Sequence, residues 1–95
     1  MGILDKILRR KSHDPNERRR FLLTYGRITD GVILDTETNE AGEEIAFYSY
    51  TLNGVDLESS DLLTAEQKLD RIKYAPGAKV GIRYDPKHQG NSILE

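Results

Sequence analysis

The sequence contains no cysteine and no tryptophan, and the missing thiols exclude several kinds of site. Without cysteine there is no disulfide framework, no thiolate metal site and no cysteine nucleophile. No apolar run approaches the ~20 residues that span a bilayer, so we expect no transmembrane helix. Residues 1–11 also lack the apolar core of a secretory signal. We therefore expect a cytoplasmic protein.

The common motifs of catalysis and metal binding are missing as well. We find no G-x-S-x-G, no H-E-x-x-H, no Walker loop and no G-x-G-x-x-G. His13 and His88 are far apart, and neither stands in a cluster with ligand spacing. The acidic stretch 35–44 does not fit a calcium loop, because Glu40 takes the place of the required Gly and Ala46 that of the final Glu. We expect no enzymatic activity, no cofactor and no metal site.

Charge is distributed unevenly along the 95 residues, although the formal net charge is only −2. Residues 1–20 carry seven bases and three acids, whereas residues 21–95 carry seven bases and thirteen acids. Eight acids and no base lie between Asp35 and Asp61. Such an asymmetry suggests that the two ends meet different partners. We therefore divide the chain into a basic amphipathic helical arm, residues 1–20, and a single small β-rich domain, residues 21–95.

Within the arm, residues 2–11 have the spacing of an amphipathic helix. Ile3, Leu4, Ile7 and Leu8 fall within one arc of about 140°. A helix of this length is not stable alone, so it must dock on something. Its own barrel, a second copy of the chain and an anionic membrane surface are the three alternatives. The predicted interaction surface consists of Ile3, Leu4, Ile7, Leu8, Arg9, Arg10 and Lys11.

A second helix is predicted to begin at Asp14 and end near Gly26. Asp14 can cap it, Pro15 suits the first helical position and Glu17 completes a capping box. Gly26 is a natural left-handed stop. The inward stripe of this helix would consist of Phe21, Leu22 and Tyr25.

From Arg27 the apolar period changes to two, which indicates a strand. Gly31 predicts a bulge or a close contact within it, and a hairpin turn at Asp30-Gly31 is the alternative. Residues 36–43 are polar and predict a loop. The two faces of the strand would be Ile28, Val32 and Leu34 against Thr29, Ile33 and Asp35.

The clearest strand is Glu44–Leu52, followed by Asn53-Gly54, which is typical of a type I′ hairpin turn. Pairing across that turn gives one aromatic and aliphatic face and one polar face, which supports the register. The predicted pairs are Leu52 with Val55, Tyr50 with Leu57, Tyr48 with Ser59, Thr51 with Asp56, and Ser49 with Glu58.

The last third of the sequence predicts a helix, a turn and one or two strands. Thr64 and Gln67 form a second capping box for a helix over residues 65–73. The segment 75–77 has the Pro then Gly of a type II turn, and residues 92–94 predict a short edge strand. The inward side chains would be Leu62, Ala65, Leu69 and Ile72 on the helix, and Val80, Ile82 and Tyr84 on the strand Lys79–Asp85.

These elements predict a mostly β (α+β) fold. We expect a small antiparallel curled sheet or open β-barrel of 4–5 strands, with short N-terminal helices and one inserted helix. Near-neighbour connections would make it a meander. The helix at 65–73 or the N-terminal pair would plug the open end.

Several stretches, taken in order, resemble a known family. Residues 22–26 followed by 31–34 are similar to an "LL-x-x-G … G-x-V-L" opening, and residues 48–57 to a "Y-x-Y-x-V-x-G-x-x-Y" strand pair. Residues 74–94 resemble a "Y-x-x-G-x-x-V-x-V-x-Y-D-P … S-x-L" ending. Over residues 21–95 the chain thus resembles the bacterial domain-of-unknown-function family DUF3592.

That resemblance implies a small β-rich domain, often attached to transmembrane helices, with no established activity and no catalytic residues to carry over. This sequence departs from the pattern in two ways. It has no apolar membrane span, and the second proline expected after Tyr84-Asp85-Pro86 is replaced near Gln89 and Gly90.

Three consecutive arginines at residues 18–20 and five tyrosines in a small barrel suggest a nucleic-acid interface. However, Asp56 and Glu58 stand on the hairpin that carries two of those tyrosines and would repel phosphate. We therefore expect no nucleic-acid partner and interpret Tyr48, Tyr50 and Tyr84 as core residues.

The leading functional hypothesis is a non-enzymatic binding or scaffolding module that self-associates through its N-terminal amphipathic helix. Its partner would be a protein or a second copy of the chain. The alternative is a peripheral membrane protein anchored by residues 3–11, with weak contact to an anionic membrane surface at the inner face. A small enzyme or ligand-binding barrel is the third hypothesis.

Overall fold

The computed structural model describes residues 15–95. Two helices and five strands follow one another in this part of the chain: α1 (Pro15–Tyr25), β1 (Arg27–Thr38), β2 (Glu44–Leu52), β3 (Val55–Leu62), α2 (Ala65–Lys68), β4 (Lys79–Asp85) and β5 (His88–Leu94). None of the helices among these residues is long and apolar enough to cross a bilayer. The mostly β fold with few short helices is confirmed.

The five strands form one antiparallel sheet in the order β3-β2-β1-β4-β5. A meander describes β1 to β3, but the chain then crosses through α2 to the far side of β1, so the predicted meander is wrong beyond β3. Because each neighbouring pair is antiparallel, β3 and β5 run in the same direction. The sheet curls until these two edges meet, which gives a nearly closed five-stranded barrel.

The β2–β3 hairpin has the register that its turn predicts. Leu52 lies opposite Val55, and the other four pairs also stand as expected. Asn53 and Gly54 have φ angles of 51° and 80°, as a type I′ turn requires. This prediction is confirmed because the turn residues and the alternating pattern specify the same register.

Strand β1 is continuous through Asp30 and Gly31, so the alternative hairpin turn there is wrong. A Cβ on Gly31 would lie 2.7 Å from the Ser49 carbonyl oxygen and 2.7 Å from the Ile82 side chain. The predicted close contact at Gly31 is therefore confirmed. The bulge lies further along, where Leu34 is the extra residue.

Strand β1 also runs further than its polar sequence predicted, ending at Thr38 instead of giving way to a loop at residue 36. The remaining loop, residues 39–43, is organised by Asn39. Its side-chain oxygen accepts the backbone N–H groups of Ala41 and Glu43 at 3.0 and 2.9 Å. An Asx-type turn of this kind replaces the backbone partners that the strands would otherwise supply.

Buried side chains from β1, β2, β4 and β5 fill the barrel interior, and Leu57 of β3 is partly buried against them. Ile33, Tyr48 and Ile82 are at most 1% exposed, and no buried side-chain nitrogen or oxygen among the described residues lacks a hydrogen-bond partner. The interior core consists of Ile33, Ala46, Tyr48, Tyr50, Leu52, Leu63, Tyr74, Val80, Ile82 and Leu94.

Helix α1 packs outside the barrel, against β4 and β5. Leu22 is fully buried, but Phe21 and Tyr25 are 46% and 69% exposed, so only the middle residue of the predicted inward stripe faces the barrel. The left-handed conformation predicted for Gly26 is also wrong, because its φ is not positive. It is needed because a Cβ there would lie 2.4 Å from the Leu22 carbonyl oxygen.

Helix α2 ends at Lys68, so the helix predicted over residues 65–73 is wrong beyond its first turn. The capping box of Thr64 and Gln67 is present, but the Asp70 carboxylate accepts the backbone N–H of Lys73 at 3.1 Å. A local hydrogen bond of this kind competes with helix continuation. The type II turn that follows is confirmed by the φ of 90° at Gly77 and by a 2.9 Å hydrogen bond from Ala78 N–H to the Ala75 carbonyl.

The end of the barrel beside α2 is covered, but not by the predicted apolar face. Leu63, Gln67 and Tyr74 are buried there, whereas Leu69 and Ile72 are each 86% exposed. The Gln67 Nε2 donates to the Leu94 carbonyl at 3.2 Å, and the Tyr74 hydroxyl donates to that of Glu95 at 2.9 Å. Polar anchors therefore hold this crossover to the end of β5.

Candidate functional site

The interaction surface predicted from the sequence lies outside the described residues. All seven of its members precede Pro15: Ile3, Leu4, Ile7, Leu8, Arg9, Arg10 and Lys11. His13 also precedes Pro15. The surfaces that can be described are those of the barrel and of α1.

An apolar stripe runs along the outer face of β1. Ile28, Val32 and Leu34 are 58%, 37% and 46% exposed, whereas Ile33 is 1% exposed. Alternation in the sequence separates these two sets but does not say which one faces inward. In the structure the face with Ile33 is the inner one, because Gly31 and Ile33 point toward the interior between the side chains of β2 and β4.

The stripe opens into a shallow groove over the first three strands, with a volume of about 320 Å³. We call it the acid-rimmed groove. It is lined by Leu34 of β1, Phe47 of β2, and Glu58, Ser59 and Ser60 of β3.

The groove takes its name from the exposed acids around it. Asp35 pairs with Phe47 on the outer face, and Glu58 pairs with Ser49 one row away. Asp56 follows along β3, where its carboxylate accepts the Thr51 hydroxyl at 2.7 Å. An apolar floor with carboxylates at its margins is suited to an amphipathic basic segment.

A second apolar feature is the crossover between α2 and β4. Leu69 and Ile72 are the most exposed large hydrophobic side chains of the described residues, at 86% each. Their helical spacing in the sequence indicated a buried face, and the early end of α2 leaves them outward. A shallow pocket of about 280 Å³ lies beside them, lined by polar residues that include Glu66, Asp70 and Lys73.

Two of the three consecutive arginines are structural. Arg18 donates to the Asn91 side chain and to the Ser92 carbonyl, and Arg19 donates to the Leu94 carbonyl at 3.0 Å. These guanidinium groups occupy the outer edge of β5, where a neighbouring strand would otherwise pair. Arg20 is exposed.

Asp61 bridges the two edges where the barrel closes. Its Oδ2 accepts the Leu94 backbone N–H at 3.0 Å. Burial raises the pKa of Asp61 above its ordinary value, against the opposite effects of the Leu94 hydrogen bond and of the charges on Arg18 and Arg19. We call this region the seam; it comprises the side-chain contacts that Asp61 of β3, the two arginines of α1 and Tyr48 of β2 make with β5.

Tyr48 and Tyr50 are core residues, as expected, and Tyr84 is partly buried against them. Tyr48 and Tyr50 are at most 3% exposed, and the rings of Tyr50 and Tyr84 stack with centroids 6.5 Å apart. The Tyr48 hydroxyl shares a 2.8 Å hydrogen bond with Ser92 across the seam. Burial raises the pKa of Tyr48 to about 12. Rings packed inward in this way cannot stack on bases.

Ionisable side chains do not converge on a metal site within residues 15–95, where no three or more His, Asp or Glu groups are placed to share an ion. His88 lies 3.5 Å from the Asp85 carboxylate at the β4–β5 turn and is largely exposed. The Lys87 backbone N–H, which Asp85 accepts at 2.9 Å, lowers the pKa of that carboxyl, and His88 adds to this effect. The contact between His88 and Asp85 is therefore a local one within the β4–β5 turn.

The comparisons with known proteins agree with the resemblance seen in the sequence. A family model described as a domain of unknown function, DUF3592, matches residues 24–95, which is well over half of the chain. No curated protein and no solved structure matches the chain. The matched residues include all five strands of the barrel. The chain therefore belongs to the DUF3592 family.

Proposed function

We propose that this protein is a non-enzymatic binding module that self-associates through its N-terminal amphipathic segment, residues 3–11. The observation that carries the proposal is the contrast between a filled barrel interior and an apolar outer stripe. Exposed apolar surface of this kind marks interaction sites on small soluble domains. Its function would be to hold copies of the chain together.

The packing of the interior favours a surface over an enclosed ligand site. Tyr48, Ile33 and Ile82 occupy the space that a small ligand would need, and binding sites for small molecules are usually concave cavities of several hundred Å³. The pockets described above are shallow and open on the outside. They suit side chains of a macromolecular partner.

The sequence of the N-terminal segment supplies the other half of the argument. Ile3, Leu4, Ile7 and Leu8 carry enough aliphatic surface to need cover, since each such side chain contributes about 2 kcal/mol when buried. A helix of about ten residues does not persist in water without a docking surface. A second copy of the chain brings such a surface.

The test is the mass of the intact chain in solution by light scattering. We expect an oligomer for the native sequence and a monomer for the double variant Leu4→Asp with Leu8→Asp, whose two charges disrupt the apolar face. Two hot-spot side chains account for roughly a thousandfold in dissociation constant. Ser12→Asp with His13→Asp adds the same charge just after the segment without touching its apolar face, and should weaken the oligomer far less.

A monomeric native chain, at concentrations up to the millimolar range, would contradict self-association. The same samples should then be sedimented with vesicles containing anionic lipid. Salt-sensitive pelleting that disappears in the Leu4→Asp, Leu8→Asp variant would favour peripheral membrane attachment. The engagement of Arg18 and Arg19 with β5 removes two bases from that alternative.

A further inference from the structure

We propose that the acid-rimmed groove is the receptor for residues 3–11 of a second copy of the chain. The inference rests on the proposed self-association and names the surface that receives the segment. In this contact the basic arm of one copy meets the acidic stretch of the other.

The first support is the shape of the groove. Its lining comes from three adjacent strands, β1, β2 and β3, and neighbouring strands lie about 4.8 Å apart, so it is about 10 Å wide. An α-helix with its side chains has a diameter of about 10–12 Å. One helix therefore fits across this surface, and nine residues of it extend about 13 Å.

The second support is the apolar floor. Phe47 is half-buried and Leu34 is 46% exposed. Leu34 stands out from the sheet because it is the extra residue of the β1 bulge. Side chains such as Ile7 and Leu8 would cover both and remove them from water.

The third support is the sign of the charge on each side. Asp35, Glu58 and Asp56 are exposed around the groove, while Lys6 and Arg10 flank the apolar arc of the segment. Opposite charges arranged in this way steer association and set the register of docking. The basic residue Lys79 pairs with Val32 from β4, which lies on the side of β1 away from the groove, so its charge is not part of the acidic rim.

Each copy carries one segment and one groove, so a two-fold exchange satisfies both copies at once. A closed dimer of this type is the commonest symmetric assembly. Three residues, 12–14, connect the segment to α1 and can extend about 10 Å. That link lets the segment leave its own barrel and reach a neighbour.

Because the chain has no cysteine, disulfide trapping tests the contact directly in the full chain. Leu8→Cys is introduced in one preparation and Ser60→Cys in a second preparation of different mass, and the two are mixed under mild oxidation. We expect the mixed disulfide to form at least tenfold faster than with Lys87→Cys, which is exposed on the β4–β5 turn. Reduction should return both monomers.

A charge exchange gives the second readout. Glu58→Lys should weaken the dimer at least tenfold in light scattering, and mixing it with Arg10→Glu should restore the association. Glu58 is exposed on β3, so its replacement does not disturb the core.

The outcomes separate the two proposals. A dimer in light scattering without trapping at Ser60→Cys would keep self-association and overturn the groove as its receptor. A double variant, Leu8→Cys with Ser60→Cys, that forms only an intramolecular disulfide in a monomeric chain would overturn both. Loss of the dimer on Glu58→Lys without rescue by Arg10→Glu would also contradict the assigned contact.

Discussion

The β2–β3 hairpin and the β3–β5 seam close neighbouring parts of one barrel by different means. Eight consecutive residue pairs join β2 to β3 in a backbone ladder. The seam instead uses side chains: Asp61 accepts a backbone N–H of β5, Arg18 and Arg19 donate to its carbonyls, and Tyr48 joins Ser92. A ladder depends little on side-chain identity, whereas the seam depends on a few residues, each of which a single substitution can remove.

Substitution of Gly31 should have the largest effect, because it disturbs the β1–β2 ladder beside the hairpin, at a position with no room for a Cβ. In Gly31→Ala the new Cβ would stand 2.7 Å from the Ser49 carbonyl oxygen, which forces the backbones of β1 and β2 apart. We expect a loss of about 3 kcal/mol in the free energy of unfolding, or roughly 15 °C in Tm. Urea and thermal unfolding measure it.

Gly90→Ala is the matched control, since no atom lies within 4 Å of a Cβ built there. Its Tm should change by no more than a few degrees. Equal losses in the two variants would contradict the steric explanation.

Removal of Arg18 should have the next largest effect, and it addresses the seam. Arg18→Ala leaves the Ser92 carbonyl and the Asn91 side chain without their charged donor. Hydrogen bonds to charged groups contribute about 1.5–3 kcal/mol, so we expect a loss of about 2 kcal/mol in urea unfolding. Arg20→Ala, at an exposed position of the same helix, should change the stability by less than about 0.5 kcal/mol.

Asp61 allows a test of the seam by pH. Its pKa is raised in the folded protein, so the fold favours the protonated carboxyl. The stability that this group contributes is therefore present below its ordinary pKa of 3.8 and is lost as the pH rises through the higher folded value. Asp61→Asn keeps an acceptor for the Leu94 N–H but carries no charge.

We expect the stability of Asp61→Asn relative to the native chain to increase as the pH is raised from about 3 to 7. Unfolding curves at several pH values give this difference directly, and the other carboxyl groups cancel in it. A relative stability that decreases over the same range would mean that the charged carboxylate is favoured at the seam.

The smallest effect is expected at the crossover. Leu69→Ser with Ile72→Ser removes two aliphatic side chains that are 86% exposed, so the free energy of unfolding should change by less than about 0.5 kcal/mol. Leu63→Ala, only a few residues earlier but buried in the core, should cost about 3 kcal/mol. A large loss from the double serine variant in the monomer would show that these side chains pack on the barrel.

The hairpin and the seam also differ in how well the sequence predicted them. Asn53 and Gly54 specify a turn whose geometry sets every pair of the β2–β3 ladder, because alternation and turn type act over adjacent residues. The seam joins residues 33 to 75 positions apart, such as Asp61 with Leu94 and Arg19 with Leu94. No periodicity or short motif links residues at such separations, so Arg18 and Arg19 could be interpreted only as part of a basic run.

The same limit applies to the candidate site. Alternation placed Ile28, Val32 and Leu34 on one face of β1 but could not assign that face to the outside. The acid-rimmed groove needs Leu34, Phe47 and Glu58 side by side, and their register across three strands exists only after β1 has paired with β2.

The sequence alone determined the presence of the strands, the hairpin turn, the capping box of α2, the turn at Gly77 and the family resemblance, since each depends on residues close together in the chain or on their order. It did not determine the end of β1 at Thr38 or the start of β5 at His88. Tertiary structure decided which face of β1 is buried, where α2 ends, and what the arginines of α1 hold. The missing cysteines excluded covalent closure from the start. Closure of the barrel was decided by packing, which brings a half-buried aspartate, two arginines and a tyrosine to an edge that no backbone ladder completes.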